Sequence, residues 1–363
     1  MKILILAPLT RKMSPDVTAA RPRLTFDFIK GLQKRGHKIT VLGTKDSKIP
    51  GIKIIPVIDK GIYELTANFE NPFYTQTSFL VRMAKKAEEL SKNFDIIHNH
   101  SYPEFINLLP SNYKAPIVTT IRMAMTPFLD ETLSHFSFCC YICPSFAGRK
   151  LFKKTKIYKV IHHGIDHNLY KFQEKKQDYL LWIGRLGKAK NKKGIFIDGK
   201  GVREAIQLAR KTDSKLLLSG NVEDIDFYNQ DVRPYLSDKI KWIGKISFEQ
   251  PLSKNKVVKL MQGAKAFLMT TKLEEAFGLV AAEAQSCGTP VIAFRKGAIP
   301  DIIQNNKTGF VVSYSKGING LIKALKKIDQ INPQDCRKNV LENFTLEKMV
   351  ENYEKLYYEL IKK

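Results

Sequence analysis

TTKLEEAFGLVAAEAQSCGTPVIAFRKGAIPDIIQNNKTGFVV, residues Thr270 to Val312, is the stretch from which the rest of the chain is read. A strand ends in a loop carrying Glu275, and a helix starts near Gly278, so Glu283 falls about one and a half turns into it. A helix N-terminus exposes unpaired N–H groups and the positive end of the dipole. The backbone of Phe277, Gly278, Leu279 and Val280 is therefore a cradle for a diphosphate oxygen. Gly278 lets that backbone approach closely. Two carboxylates repel a phosphate but accept hydrogen bonds from hydroxyls, which assigns Glu275 to a transferred sugar and Glu283 to a ribose. Two acids eight residues apart also describe an ordinary surface helix, so the flanking chain must carry the decision.

The flanks alternate strand and helix. YLLWIG reads as a strand, Val202 to Lys211 as a helix with Val202, Ala205, Ile206 and Ala209 on one face, and KLLLSG as a strand. Strands at Ile240 to Ile243, Ala266 to Met269, Pro290 to Ala293 and Gly309 to Val312 alternate with helices at about Val257 to Gln262, Leu279 to Ser286 and Gly317 to Lys327. Upstream, KILILA, KITVL, IKIIPV, Asp95 to His98 and Pro116 to Thr120 read as strands, with helices from about Arg23 to Lys34 and Phe79 to Leu90. The polar segment KFQEKKQD, Lys171 to Asp178, separates the two series and places a domain boundary near residue 172. Two doubly wound α/β sheets follow, with ligands expected beyond the carboxyl ends of their strands.

Composition fits this. The chain has 363 residues, 44% hydrophobic and 26% charged, enough for two packed cores at roughly 150 residues per domain. No apolar run approaches the ~20 residues of a membrane span, and the opening MKILILAPLT lacks a small-residue cleavage site, so a cytosolic protein is expected. Sixty Lys and Arg against 35 Asp and Glu give a net charge of +25, with 15 basic and 4 acidic residues between 141 and 200. No RNP, zinc-finger or helix-turn-helix pattern points to nucleic acid, leaving a solvated surface or peripheral contact with the inner face of an anionic membrane. Cys139, Cys140 and Cys143 crowd together without a second Cys/His cluster, so reduced thiols are expected and no metal site. Asp224-Ile225-Asp226 reads as a helix cap, and His162-His163 as a turn.

E-A-F-G-L-V-A-A-E followed by C-G-T-P-V-I-A and G-A-I-P-D-I-I…G-F-V resembles the E-x7-E signature of the family 4 glycosyltransferases. LLWIGRL (Leu180 to Leu186), KKG (Lys192 to Gly194), KLLLSG, FYNQDVRPYLSDKIKWIGKI and VIHHGIDHNLYKF are similar to family segments in the family's order. The resemblance covers most of residues 158 to 315. It implies the GT-B architecture, two Rossmann-like parallel-sheet domains facing across a cleft. The acceptor-side domain would be 1 to 172 and the donor domain 173 to 345, with a last helix at about 346 to 363 packing back on the first. It further implies retaining transfer of a sugar from a nucleotide diphosphate sugar such as a UDP-sugar, with the departing phosphate taking the acceptor's proton. An Arg after the first strand of the second domain and a Lys before a Gly would hold the diphosphate. These map onto Arg185, beside Gly184, and onto Lys193 before Gly194, with Lys188, Lys190 and Lys192 as competitors in the insertion GKAKN. With cations in that role no divalent metal or other cofactor is expected.

The first half, through DFIKGLQKRGHKITVLGT and FDIIHNHSYPEF (Phe94 to Phe105), resembles the family more loosely. Ala19-Ala20, followed by Arg21 and Pro22, stand where relatives carry a Gly pair, and Arg21 or Arg23 would substitute as a cation. Arg122 stands where many relatives have a His beside the transferred sugar, with His98 and His100 as replacements. A permanent cation there implies a charged acceptor. The alternatives are a nucleotide-sugar-binding protein that has lost transfer, recognised by absent donor hydrolysis, and a nucleic-acid binder, recognised by salt-sensitive duplex binding.

Overall fold

A strand covered on both faces needs an unbroken apolar run, and in β1 (Lys2–Leu6) every side chain from Ile3 onward is removed from solvent. The computed structural model describes residues 1–362 apart from 18, 68, 103–114, 124–125 and 249–251. It divides into two compact domains, Met1–Gly164 with Leu346–Lys363, and Ile165–Thr345.

In the first domain β1 is followed by α1 (Ala20–Lys34), β2 (Lys38–Thr44), β3 (Lys53–Ile58), α2 (Ile62–Leu65), α3 (Phe73–Leu90), β4 (Ile96–Asn99) and β5 (Ile117–Thr120). Then come α4 (Pro127–Ser134), β6 (Cys139–Cys143), α5 (Phe146–Arg149) and β7 (Ile157–Val160). Among the described residues the sheet is seven-stranded and parallel, in the order β3-β2-β1-β4-β5-β6-β7. The order reverses between β1 and β4, the switch point at which such sheets leave a crevice.

The second domain repeats the scheme with β8 (Leu180–Ile183), α6 (Val202–Thr212), β9 (Leu216–Ser219), α7 (Ile225–Asp231), β10 (Ile240–Trp242), α8 (Lys254–Gly263) and β11 (Ala266–Met269). It continues with α9 (Leu279–Ser286), β12 (Val291–Phe294), α10 (Ile299–Ile302), β13 (Gly309–Val312), α11 (Gly317–Leu325) and α12 (Pro333–Asn343). Its six described strands are parallel in the order β10-β9-β8-β11-β12-β13, with the switch between β8 and β11. A core built on Leu180, Trp182, Leu216, Phe227 and Phe294 fills one face, and one built on Leu181, Phe267, Met261 and Ala281 the other.

The last helix, α13 (Leu346–Ile361), belongs to the first domain. It lies so close to α1 that a Cβ added at Gly31 would overlap Val350. Its Glu354 pairs with Arg35 and, at 2.8 Å, with His37.

The domain boundary differs from the sequence reading, whereas the Asp224 cap and the buried thiols agree with it. The domains part at Gly164/Ile165 rather than near 172, because the Ile165 amide bonds the Phe344 carbonyl at 2.9 Å and Tyr170 is buried in the second core. CCYIC is strand β6, and Cys139 and Cys143 are buried in it. Burial pushes the Cys139 thiol up to about 12, an inert form at neutral pH. Asp224 caps α7, accepting the Asp226 amide at 2.9 Å. His162 hydrogen-bonds the Pro144 carbonyl at 2.8 Å in the chain after β7. Residues 103–105 of the FDIIHNHSYPEF segment lie outside the described residues. Among the described residues no helix is long and apolar enough to cross a membrane, and no group of His, Cys, Asp and Glu is arranged to hold a metal.

Candidate functional site

Of the helices that start at the carboxyl edge of the second sheet, the two that follow its neighbouring central strands β8 and β11 have N-termini that are treated oppositely. At α6 the carboxylate of Asp198 accepts the amides of Gly201 (2.7 Å), Val202 (3.0 Å) and Arg203 (2.9 Å), which fills that end with protein charge. At α9 no side chain caps the end and no acid sits in the first turn. The Leu279 and Val280 amides have no intrahelical acceptor by construction, so this end is open to an anion. Gly278 precedes it in the left-handed region at φ +100°, where a Cβ would press within 3.3 Å of Ile299 Cδ1 and Met269 Cε. Phe277 contributes backbone only, since its ring is buried edge-on to Phe344.

The loop carrying Glu275 is laced to the loop before α6. Thr270 Oγ1 donates to the Gly201 carbonyl at 2.5 Å, and the Lys272 amide donates to the Gly199 carbonyl at 2.9 Å. The Glu275 carbonyl accepts from Ala298 at 2.8 Å. Gly201, at φ +75°, and Gly297, at φ +52°, lie so close to Thr270 and Glu275 that a Cβ at either would overlap backbone. The carboxylate of Glu275 ends between Lys200 Nζ, with which it forms an ion pair, and Thr271 Oγ1 at 3.2 Å. Glu283 is partly exposed on α9, one turn and a half from that loop.

Arg185 follows β8 as expected, half-exposed, with its guanidinium 2.9 Å from Glu223. Gly184 before it is enforced by the Trp182 ring, and Gly220 at the end of β9 packs backbone to backbone on Gly184. Lys193 stands elsewhere. It is exposed in the turn of residues 191–194, where its amide bonds Asn191 Oδ1 at 2.9 Å and the left-handed Gly194 has open space around it. Lys188, Lys190 and Lys192 share that excursion, with Lys190 Nζ 4.2 Å above the Phe196 ring. The Lys-Gly pair that opens a helix and reaches Glu275 is Lys200-Gly201, which the sequence reading passed over. The signal was present: the apolar period of α6 starts at Val202, so the glycine directly before it marks the sheet edge.

The first-domain candidates also come together. Arg122, after β5, donates to Thr25 Oγ1 at 2.8 Å and to His100 Nδ1 at 2.5 Å. Burial lowers the Arg122 guanidinium to about 10, and Arg21 adds repulsion. His100 lies 3.9 Å, ring to ring, from His98, and both pack on Phe28. His98 is tied at both nitrogens, to Tyr357 at 2.5 Å and to Thr120 at 2.7 Å, so its role is in the packing of α13. Burial first, and the neighbouring Arg122, hold His98, His100 and His163 well below the ordinary imidazole range. Ala19, in place of a glycine, caps α1 at φ −61° and ψ 125°, which any residue adopts. Arg23 pairs with Asp27, whereas Arg21 lies over the Tyr102 ring at 5.3 Å.

Two Rossmann-like parallel-sheet domains, which share one order over six strands with a seventh strand added in the first, are the architecture of the GT-B glycosyltransferases. Residues 168–339 match the model for glycosyl transferases group 1, and residues 22–169 match glycosyltransferase family 4. The chain belongs to the family 4 glycosyltransferases. It is 25% identical over 368 residues, 92% of each chain, to an N-acetyl-alpha-D-glucosaminyl L-malate synthase of Bacillus anthracis. It is 25% identical to an uncharacterised glycosyltransferase of Methanocaldococcus jannaschii, over 78% of this chain and 81% of that one. Among solved structures, a sucrose-phosphate synthase from Thermosynechococcus elongatus superposes with TM-score 0.77 at 16% identity over 99% of both chains. An Anabaena protein solved with UDP and glucose gives 0.68 at 16% identity, over 99% of this chain and all of that one.

Proposed function

We propose that this glycosyltransferase takes its sugar from a nucleoside diphosphate donor held at the open N-terminus of α9. The observation that carries this is the contrast between the two helix ends, α6 closed by Asp198 and α9 left without cap or acid. The donor's outer phosphate sits on the Leu279 and Val280 amides, and Lys200 and Arg185 are the cations that take up charge as the diphosphate departs. Lys200 replaces Lys193 in this role, because it is held beside Glu275 while Lys193 is in a solvated turn. Glu275, already within reach of Thr271, accepts from the sugar's hydroxyls, and Glu283 accepts from the ribose.

Transfer with retention follows if the departing phosphate receives the acceptor's proton on the face it leaves. Glu275 is engaged by Lys200 and Thr271, which makes it a weak double-displacement nucleophile. Fixed cations would do the work of a metal, so activity should survive chelation. The acceptor is an anion: the Bacillus anthracis relative is named for a product joining an N-acetylglucosaminyl group to L-malate, and Arg122 offers a permanent charge. Arg149, Lys150, Lys153 and Lys154, exposed around Phe146 and Leu151, support peripheral contact with anionic lipid, at about 1 kcal/mol per cation near the surface.

Titrating the protein with UDP, GDP and ADP, with and without EDTA, tests the donor assignment. One diphosphate should bind without metal, and its sugar ester should be hydrolysed slowly in the absence of acceptor. Binding of none of the three, or hydrolysis abolished by EDTA, would sink this reading. Flotation with anionic vesicles at low and high salt tests the membrane contact.

A further inference from the structure

We propose that the carboxyl edge of β4 and β5 in the first domain is a built oxyanion site, in which Arg122, Arg21, His100 and Ser101 take a carboxylate or phosphate of the acceptor. The inference rests on the transferase reading for the identity of the ligand, but its geometry stands on its own.

The hydrogen bonds fix the protons. Thr25 Oγ1 donates to the Arg21 carbonyl at 3.0 Å, so its oxygen is left to accept from Arg122. Arg122 has only donors, so His100 Nδ1 must accept from it, and the ring's proton is on Nε2. Arg122 thereby makes His100 a neutral donor pointing away from the guanidinium. That Nε2 has no hydrogen-bond partner although His100 is 1% exposed. Arg122 Nε, and Ser101 Oγ on the residue after His100, are also buried without a partner. Three unsatisfied groups able to donate, two of them on consecutive residues, demand an acceptor.

The charge balance says which acceptor. Arg21 is close enough to repel Arg122, and among the described residues no carboxylate forms an ion pair with either. The other ionisable groups facing the cluster are His98, His163, Tyr353, Tyr357 and, hydrogen-bonded to Arg21, Tyr102, all neutral at physiological pH. A partly buried cation pair without a counter-ion, ringed by neutral donors, favours an anion over a hydroxyl. Phe28 and His98 pack against the His100 ring and fix its orientation.

The test is thermal stabilisation of the full chain by inorganic phosphate and by succinate, without any nucleotide, in the wild type, Arg122→Gln, Arg21→Ala, Ser101→Ala and Lys200→Ala. One of the two anions should raise the melting temperature of the wild type and of Lys200→Ala. Ten-fold or more of it should be needed in Arg122→Gln, and several-fold more in Ser101→Ala, which removes a hydroxyl without touching the charge. Succinate acting alone assigns a carboxylate and phosphate acting alone a phosphate. Should Arg122→Gln fail to fold, the Arg21 and Ser101 variants carry the same comparison. Stabilisation untouched in all three first-domain variants, stabilisation lost in Lys200→Ala instead, or an adventitious effect seen only at molar salt, overturns the site. An Arg122-dependent anion effect in a protein that binds no nucleoside diphosphate would leave this site standing and remove the donor reading.

Discussion

The two domains share one order over six strands, but their sheet edges are built from different chemistry. The second is written in glycines and carboxylates: Gly201, Gly220 and Gly297 let backbone meet backbone, Gly184 and Gly278 leave room for the side chains of Trp182, Ile299 and Met269, and Asp198, Glu223 and Glu275 fix helix ends and cations. In the first, Gly61 packs on the backbone of Thr10 and Arg11, but no glycine stands at the start of α1. Ala19 stands at the start of α1, and the edge is held by side chains, Arg122 on Thr25 and His100, and His98 on Tyr357 and Thr120. A backbone-built edge has one geometry and suits a ligand part common to many donors, such as a diphosphate. A side-chain-built edge changes with each substitution and suits the part that differs between enzymes.

The sharpest way to break the comparison is at the glycines. Gly220→Ala forces a side chain from φ +148° into the backbone of Gly184 and should cost about 3 kcal/mol or more, read by urea denaturation. A cost below about 1 kcal/mol would mean that backbone contact is dispensable there.

Acid should separate the domains next. His98, His100 and His163 have folded-state pKa values well below 6.5, so below that pH the unfolded chain binds protons that the folded chain does not. Stability of the first domain should therefore fall as pH drops from about 6.5, by up to ~1.4 kcal/mol per pH unit for each imidazole. Hydrogen exchange at pH 7.5 and 5 should show β4, β5 and α13 losing protection before β8 and β11. Equal loss in both domains would contradict the side-chain account.

Within the second domain the carboxylates should divide by role. Glu283→Ala should weaken binding of the free nucleoside diphosphate by about 1 to 3 kcal/mol, while Glu275→Ala should chiefly lose turnover. The reverse pattern, read by calorimetry and by donor hydrolysis, would exchange the two assignments. The smallest effect is expected at Ala19→Gly, within about 0.5 kcal/mol in stability, because α1 already starts in an ordinary conformation.

How legible each edge was follows from the same difference. Glycines, prolines and apolar periods are local signals, so α9, the glycine before it and the alternation of elements could be read from the chain. Strand β6 was hidden because its polarisable cysteines suggest chemistry before packing, and α12 because it is a short polar helix after a turn. The choice between Lys193 and Lys200, the cation proposed here, is hard to read for a related reason. Two Lys-Gly pairs lie seven residues apart, Lys193-Gly194 and Lys200-Gly201, and only the onset of the α6 period distinguishes them. The first-domain cluster was not legible as a cluster: Arg122, His100, Thr25 and Tyr357 lie on four separate elements or their ends, and no spacing in the sequence announces their contact.

The central claim, that the second domain holds a diphosphate between the open end of α9 and Lys200, is tested most directly by calorimetric titration of the preferred nucleoside diphosphate into Lys200→Ala and Lys193→Ala side by side. The account predicts a loss of about 1.5 to 3 kcal/mol, roughly ten-fold to a hundred-fold or more in affinity, for Lys200→Ala and less than two-fold for Lys193→Ala. Unchanged affinity in Lys200→Ala, with the loss appearing in Lys193→Ala, would contradict it.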